Sequence, residues 1–202
     1  MFARVGKILA ALGSTNPLRS DERGALIVAD GGGKYAEAVL RGNVYTACND
    51  AAKAVTAAHA TCTGFVLYNP ITSGKYLSIL NIKVALASSP AAQAAVALGA
   101  CVVPTATAPA TNTAIVVYNA LVGRVAGNAG QAYSISTLPL AQVCIRALAS
   151  GVTATGAVNF PPMVDDDVAG AVIIVPGCLV ALTAITTAIS VVASMTWEEI
   201  PA

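Results

Sequence analysis

Three places in the chain carry side chains of a kind that does chemistry. The run Asp165-Asp166-Asp167 in "MVDDDVAG" offers hard oxygens of the type that ligates calcium. An EF-hand needs acidic residues at alternate positions and a distal glutamate, and neither occurs. The run is therefore read as a solvated acidic turn, with an ion held between subunits as the alternative. Glu198 and Glu199 follow Trp197 in the closing "WEEIPA". Paired carboxylates in principle serve acid/base work, but at an exposed terminus charge and anchoring are the plainer roles. Hydrolytic and transfer chemistry needs a positioned base. His59 is the single histidine, set among alanines in "TAAHATC" with no acidic residue nearer than Asp50. A solvated or packed imidazole is the expectation.

Two Gly-Lys pairs raise the question of a phosphate-binding loop. Such a loop has a glycine five residues before the pair and Ser or Thr after the lysine. Around Gly74-Lys75 those positions hold Asn69 and Tyr76, and around Gly33-Lys34 they hold Val28 and Tyr35. What remains in "LYNPITSGKY" is turn chemistry from Asn69-Pro70 and Ser73-Gly74, and a hairpin-like turn is expected. The "GGG" at 31–33 reads as a flexible turn. Five cysteines, at 48, 62, 101, 144 and 178, form no C-x-x-C pair and are read as separate buried thiols made in a reducing cytoplasm. Zinc is not expected from one histidine and dispersed cysteines. No basic patch with interleaved aromatics marks a nucleic-acid site. Catalytic, cofactor-binding and metal-ligating residues are all read as none, and no enzyme is expected.

Stepping outward to composition, only 10% of the 202 residues are charged, against roughly 25% in ordinary soluble domains. The net charge is +1, so no global field recruits nucleic acid or an anionic membrane. A chain with 56% hydrophobic residues has few charges to cover its surface. Burial against other subunits is the simplest remedy, and an obligate oligomer is expected. Lipid is the other remedy, because 168–197 carries no charge and is long enough to span a bilayer. Pro176-Gly177, the Thr/Ser series and the β-branched content favour strands there. The start, "MFARVGKILAALGS", is read as an arm and not a targeting sequence.

The elements that must position these residues are mostly strands. Residues 1–24 read as an N-terminal arm and 25–202 as a single β-sandwich domain with little helix. Strands are expected at 25–30, 35–40, 43–48, 64–69, 76–88, 113–125, 141–148, 155–160 and 170–175, and one long alternating strand over 179–197. Residues 50–60 are ambiguous between helix and loop, and 102–112 read as a Pro/Thr/Ala loop. A short helix is expected over 89–100, with Ser89 as N-cap and Pro90 at the first helical position. Many short strands between Gly, Pro and Asn turns predict an all-β sandwich or barrel, and an eight-stranded jelly roll is the specific expectation.

Taken together, "DERGALIVADGGGKYAEAVLRGNVYTACN", "LYNPITSGKYLSILNIKVALA", "GAVIIVPGCLVAL" and "SMTWEEIPA" resemble the small decoration or cement proteins of tailed-bacteriophage capsids. The resemblance runs from about Asp21 to Ala202 and rests on turn and strand motifs. It implies a jelly-roll-like β-sandwich, made in the host cytoplasm and assembled as a homotrimer on the exterior of the major capsid protein shell. It carries no catalytic residues. On this view Phe2, Val5, Ile8 and Leu12 of the arm contact a neighbour, and Trp197 and Ile200 anchor the tail, with packing inside the subunit as the alternative. A virion fibre or host-surface adhesin binding through loops such as 101–112, and a membrane-associated protein spanning at 168–197, are the competing classes.

Overall fold

A computed structural model describes residues 33–57, 59–87, 94–154, 157–159 and 163–202. The arm residues Phe2, Val5, Ile8 and Leu12, the strand expected at 25–30, and Ser89 and Pro90 lie outside the described residues. Two compact units meet at Glu37/Ala38. In the first, Met1–Glu37, the Ala36 N–H donates to the Gly33 carbonyl at 2.8 Å. The second unit holds the sandwich.

The segment 35–40, expected as a strand, is a helix, α1 (Ala36–Arg41). Alanine, leucine, glutamate and arginine favour the helix, with Glu37 in its first turn and Arg41 in its last. Gly42, at φ 77°, closes it. The Gly42 N–H reaches the Val39 carbonyl and the Asn43 N–H that of Ala38, the paired bonds of a Schellman stop.

The strands then run β1 (Val44–Cys48), β2 (Lys53–Val55), β3 (Thr61–Tyr68), β4 (Lys75–Leu86), β5 (Ala94–Cys101), β6 (Ala110–Ile115) and β7 (Val117–Asn119). They continue as β8 (Gln131–Thr137), β9 (Val143–Ala154), β10 (Ala157–Asn159), β11 (Met163–Asp166), β12 (Val172–Ile174), β13 (Leu179–Ala184) and β14 (Ile189–Pro201). They form two antiparallel sheets. The first has the order β11-β4-β14-β1-β7, with β12 also on β4 and β2 also on β14; the second is β10-β9-β5-β13-β3-β8-β6. The protein is an all-β sandwich. With β1/β2 and β11/β12 each counted as one interrupted strand, and β6, β7, β8 and β10 as additions, the chain visits the first and second sheets alternately. The sequence of visits is first, second, first, second, then second, first, second, first.

That winding corrects three expectations. The 69–74 turn does not close a hairpin: β3 and β4 lie in different sheets, and the turn carries the chain across. Asn69, buried there, donates through Nδ2 to the carbonyls of Lys75 (2.7 Å) and Ile174 (2.9 Å). The long strand expected at 179–197 is two. β13 is buried at every position between β5 and β3, whereas β14 alternates buried and half-exposed residues as one face meets water. Residues 185–188 carry the chain between the sheets. The expected helix gives way to β5, a strand between β9 and β13. Alanine-rich composition suits a helix, but small side chains also suit a strand covered on both faces. At Gly99 a Cβ would stand 2.3 Å from Gln142 Oε1.

The main core lies between the sheets. Phe65, Leu67, Leu98 and Leu182 of the second sheet belong to one cluster with Leu77, Ile79, Met195 and Trp197 of the first. A smaller core of Val66, Tyr68, Leu179 and Leu138 lies on the back of the second sheet. The 138–142 segment covers it, tied by Leu138 N–H to the Ala60 carbonyl and Gln142 N–H to that of His59.

Candidate interaction surface

Among the described residues, side chains suited to chemistry are spread over the sandwich and do not converge. His59 is exposed. Glu198 and Glu199 are neighbours on β14, so they point to opposite faces of the sheet and cannot act as a pair. Asp165 and Asp166 lie on β11 and not in a turn. Asp165 accepts a hydrogen bond from Asn81 (2.6 Å) and pairs with Lys83 (3.1 Å). The Asn81 bond, then Lys83, holds its carboxyl below the usual carboxylate range. Asp166 takes both Nε (2.6 Å) and Nη2 (2.8 Å) of Arg146 from β9, a bidentate contact between the two sheets. Among the described residues no three His, Cys, Asp or Glu side chains gather as a metal site. Burial pushes the Cys62 thiol up to about 12 and raises those of Cys101 and Cys178; Cys48 and Cys144 are exposed. No helix among the described residues is long and apolar enough to cross a membrane, and 168–197 contributes β12, β13 and β14.

Trp197 sits in the main core, its ring 6.3 Å from that of Tyr45, with no exposed surface. Ile200 is partly exposed near the end of β14, opposite the equally exposed Tyr76.

Two surface features are built with more care than a passive surface needs. The first is a loop at 120–130, after β7. Asn119 is buried and bonds at both ends, Nδ2 to the Gly42 carbonyl and Oδ1 from the Leu121 N–H. Arg124 Nη1 donates to the Arg41 carbonyl at 3.1 Å. Glu199, only 1% exposed, accepts the Ala129 N–H at both oxygens (2.8 and 3.0 Å) and the Gly130 N–H at 2.9 Å. At Gly130 the chain passes close over the core: a Cβ there would lie 2.9 Å from Leu77 Cδ1 and 3.1 Å from the Trp197 indole nitrogen, so a larger residue would have to displace them. This anchored loop turns at Gly123 (φ 96°) and lifts two valines clear of the protein, Val122 at 96% exposure and Val125 at 88%.

The second feature is concave. Between β12 and the start of β9 lies a groove of about 260 Å³, lined by Ala100, Val102, Ile145, Ile173 and Val175 among others, with no charged side chain on its walls. Ile173 is 54% exposed and Val102 60%. Loop and groove lie at opposite edges of the first sheet, in one transverse row. Ile173 faces Ser78, Ser78 faces Glu198, Glu198 faces Val44, and the Ala120 N–H donates to the Val44 carbonyl. The intervening four strand spacings make about 19 Å.

A second hollow, of about 380 Å³, opens near β1, β2 and β6 and is polar, with Asp50, Lys53, Thr113, Tyr118 and Ser134 on its walls.

The sequence reading missed the loop because the valines of "ALVGRVAGNAG" looked like the tail of a strand. The usable signal was the spacing of Gly123, Gly127 and Gly130, which no central strand tolerates.

The fold thus defines an all-β sandwich with an exposed loop bearing Val122, Arg124 and Val125 at one edge of the first sheet and an uncharged groove at the other. Comparisons with protein-family models, curated proteins and solved structures find no match for the chain.

Proposed function

We propose that this chain is a non-enzymatic decoration or cement protein of a tailed-bacteriophage capsid. On this reading it is made in the host cytoplasm and oligomerises, as a homotrimer at local threefold sites, on the exterior of the major capsid protein shell. The observation that carries the reading is the strand winding: first, second, first, second, then its mirror, with β14 and β4 central in one sheet and β13 and β5 in the other. That order supports reading the sandwich as jelly-roll-like, an architecture recurrent in viral capsid proteins. Low charge and exposed aliphatic relief suit a protein whose task is burial against neighbours. The mechanism is mechanical: each oligomer bridges adjacent capsomers, and modest contacts summed over the lattice resist the pressure of packaged DNA. Arm residues Phe2, Val5, Ile8 and Leu12 belong to this proposal as contacts with a neighbour, and Ile200 offers exposed surface at the tail.

The test is co-sedimentation of the purified chain with shells assembled from a tailed-phage major capsid protein of the same virus, followed by heating. Saturable binding that raises the temperature of shell disruption is expected. A chain left in the supernatant at tens of micromolar would sink the proposal.

One observation favours the competing adhesin reading. Asp50, Lys53 and Tyr118 around the polar hollow offer an acceptor, a donor and an aromatic face, groups that suit a neutral sugar. Binding of host-surface glycans without binding to shells would select that reading.

A further inference from the structure

We propose that the outer face of the first sheet, at Tyr118, binds an acidic oligosaccharide, its carboxylate on Arg124 and the adjoining neutral unit beside Asp50 and Lys53. A hollow of about 490 Å³ opens against the 120–130 loop, walled by Thr46, Tyr118, Val122, Arg124 and Thr196 among others. Tyr118 also walls the polar hollow of Asp50 and Lys53, so one ring is shared by two hollows. Each has a volume within the roughly 300–1,000 Å³ usual for small-ligand sites. Thr196 faces Thr46 and Thr46 faces Tyr118, so the three lie on one face of the sheet. Tyr118 is 63% exposed, and an exposed aromatic ring suits the apolar C–H face of a pyranose. The Thr46 and Thr196 hydroxyls, 3.2 Å apart, stand beside it for the ring's hydroxyl groups.

Arg124 sets the charge of the ligand. Its guanidinium lies over Gly42, where any Cβ would collide with Nη1 and Cζ. Nη1 donates to the Arg41 carbonyl at 3.1 Å, which fixes the plane and leaves Nε and Nη2. That pair grips a carboxylate in the bidentate mode that Arg146 uses on Asp166 in this same protein. Among the described residues none of Arg124, Asp50 and Lys53 has an ion-pair partner. In a chain with only 10% charged residues, three unpaired charges around one exposed ring are a concentration of unused polar groups. Asp50 repels a second carboxylate, which places the acidic unit on Arg124 and a hydroxyl-bearing unit beside Asp50. An acidic peptide would satisfy Arg124 but lacks the hydroxyls that engage Asp50, Lys53 and the threonines together. The inference does not rest on the capsid reading, and it gives the competing adhesin reading a definite site and ligand class.

The experiment titrates the full chain by calorimetry with two acidic sugars, trigalacturonate and sialyllactose. Their neutral counterparts, the trigalacturonate methyl ester and lactose, and the peptide triglutamate are titrated alongside. At least one acidic sugar is expected to bind with Kd below about 1 mM, and its neutral counterpart about tenfold or more weakly. Arg124→Gln is expected to bring the acid down to the level of its neutral counterpart, with Arg124→Lys intermediate because it keeps the charge and loses the fork. Tyr118→Ala, at an exposed position, is expected to keep the wild-type unfolding temperature and to weaken acidic and neutral sugars alike. Neither acidic sugar binding at millimolar concentration, a neutral counterpart binding equally well, or Tyr118→Ala binding as wild type would overturn the inference. Triglutamate binding as tightly as the sugars would also overturn it and make the site one for acidic peptides. Shell co-sedimentation is a separate readout, so sugar binding without shell binding counts against the proposed function alone, and the reverse counts against this inference alone.

Discussion

Glu199 is an ionisable side chain on the core face of a central strand. Its cost is met because three N–H bonds from Ala129 and Gly130 replace water, and the Trp197 indole stands 3.5 Å away. Glu199→Ala leaves the buried Gly130 amide and the part-buried Ala129 amide without acceptors. We expect a loss of about 2–4 kcal/mol, read from urea unfolding, with Glu199→Gln intermediate because one acceptor oxygen survives. A loss under about 0.5 kcal/mol for the alanine variant would contradict this account. The thiols give a second expectation at this scale. Cys62 is raised from 9.0 to about 12, so its thiolate is scarce at pH 8, and Cys101 and Cys178 are shielded in the same sense. Iodoacetamide at pH 8 labels Cys48 and Cys144 in the native protein and all five thiols in denaturant, as mass spectrometry would count. The sign for stability follows: the folded state holds the Cys62 proton more tightly, so its contribution is complete below pH 9 and is lost as pH rises toward 12. Little of this was legible in sequence. Trp197 was read as a tail anchor with packing inside the subunit as the alternative, although the alternation Ala193, Met195, Trp197 against Ser194, Thr196 stands in the sequence. Glu199, however, continues that buried face with partners some 70 residues away, where no local pattern reaches.

β4, with one face in water, was read as a strand, but β8 (Gln131–Thr137) alternates as well and was not expected, and elements whose identity depends on what covers them were misread. β4 carries its period in the sequence, because one of its faces meets water. β5 does not, because the 138–142 segment closes its outer face and small residues serve equally in helix or strand. β11 shows the same limit from the polar side. A run of aspartates resembles a solvated turn, yet Lys83 and Arg146, brought in from β4 and β9, make it a strand pinned to both sheets. Arg146→Ala removes the tie between sheets. Hydrogen exchange of the 163–166 amides is expected to accelerate at least tenfold, while that of β13 stays unchanged. Equal acceleration in both strands would mean global loosening and would exclude a local role for the pair. Acid acts alike through Asp165: its carboxyl is lowered in the folded state, so the support is present above about pH 4 and is lost as pH falls below that.

The whole chain carries a net charge of +1 with 10% charged residues, so it has little long-range field. At this scale the sandwich was legible, because turn residues punctuate β-branched runs throughout, but composition cannot say which valines face water. The position of β14 has one more consequence. It lies between β4 on one side and β1 and β2 on the other, and β1 is bonded to it across about 150 residues of chain. During translation the first sheet has no centre until residues 189–201 leave the ribosome, and such distant pairings form slowly. The strand that completes the first sheet is thus the last one made.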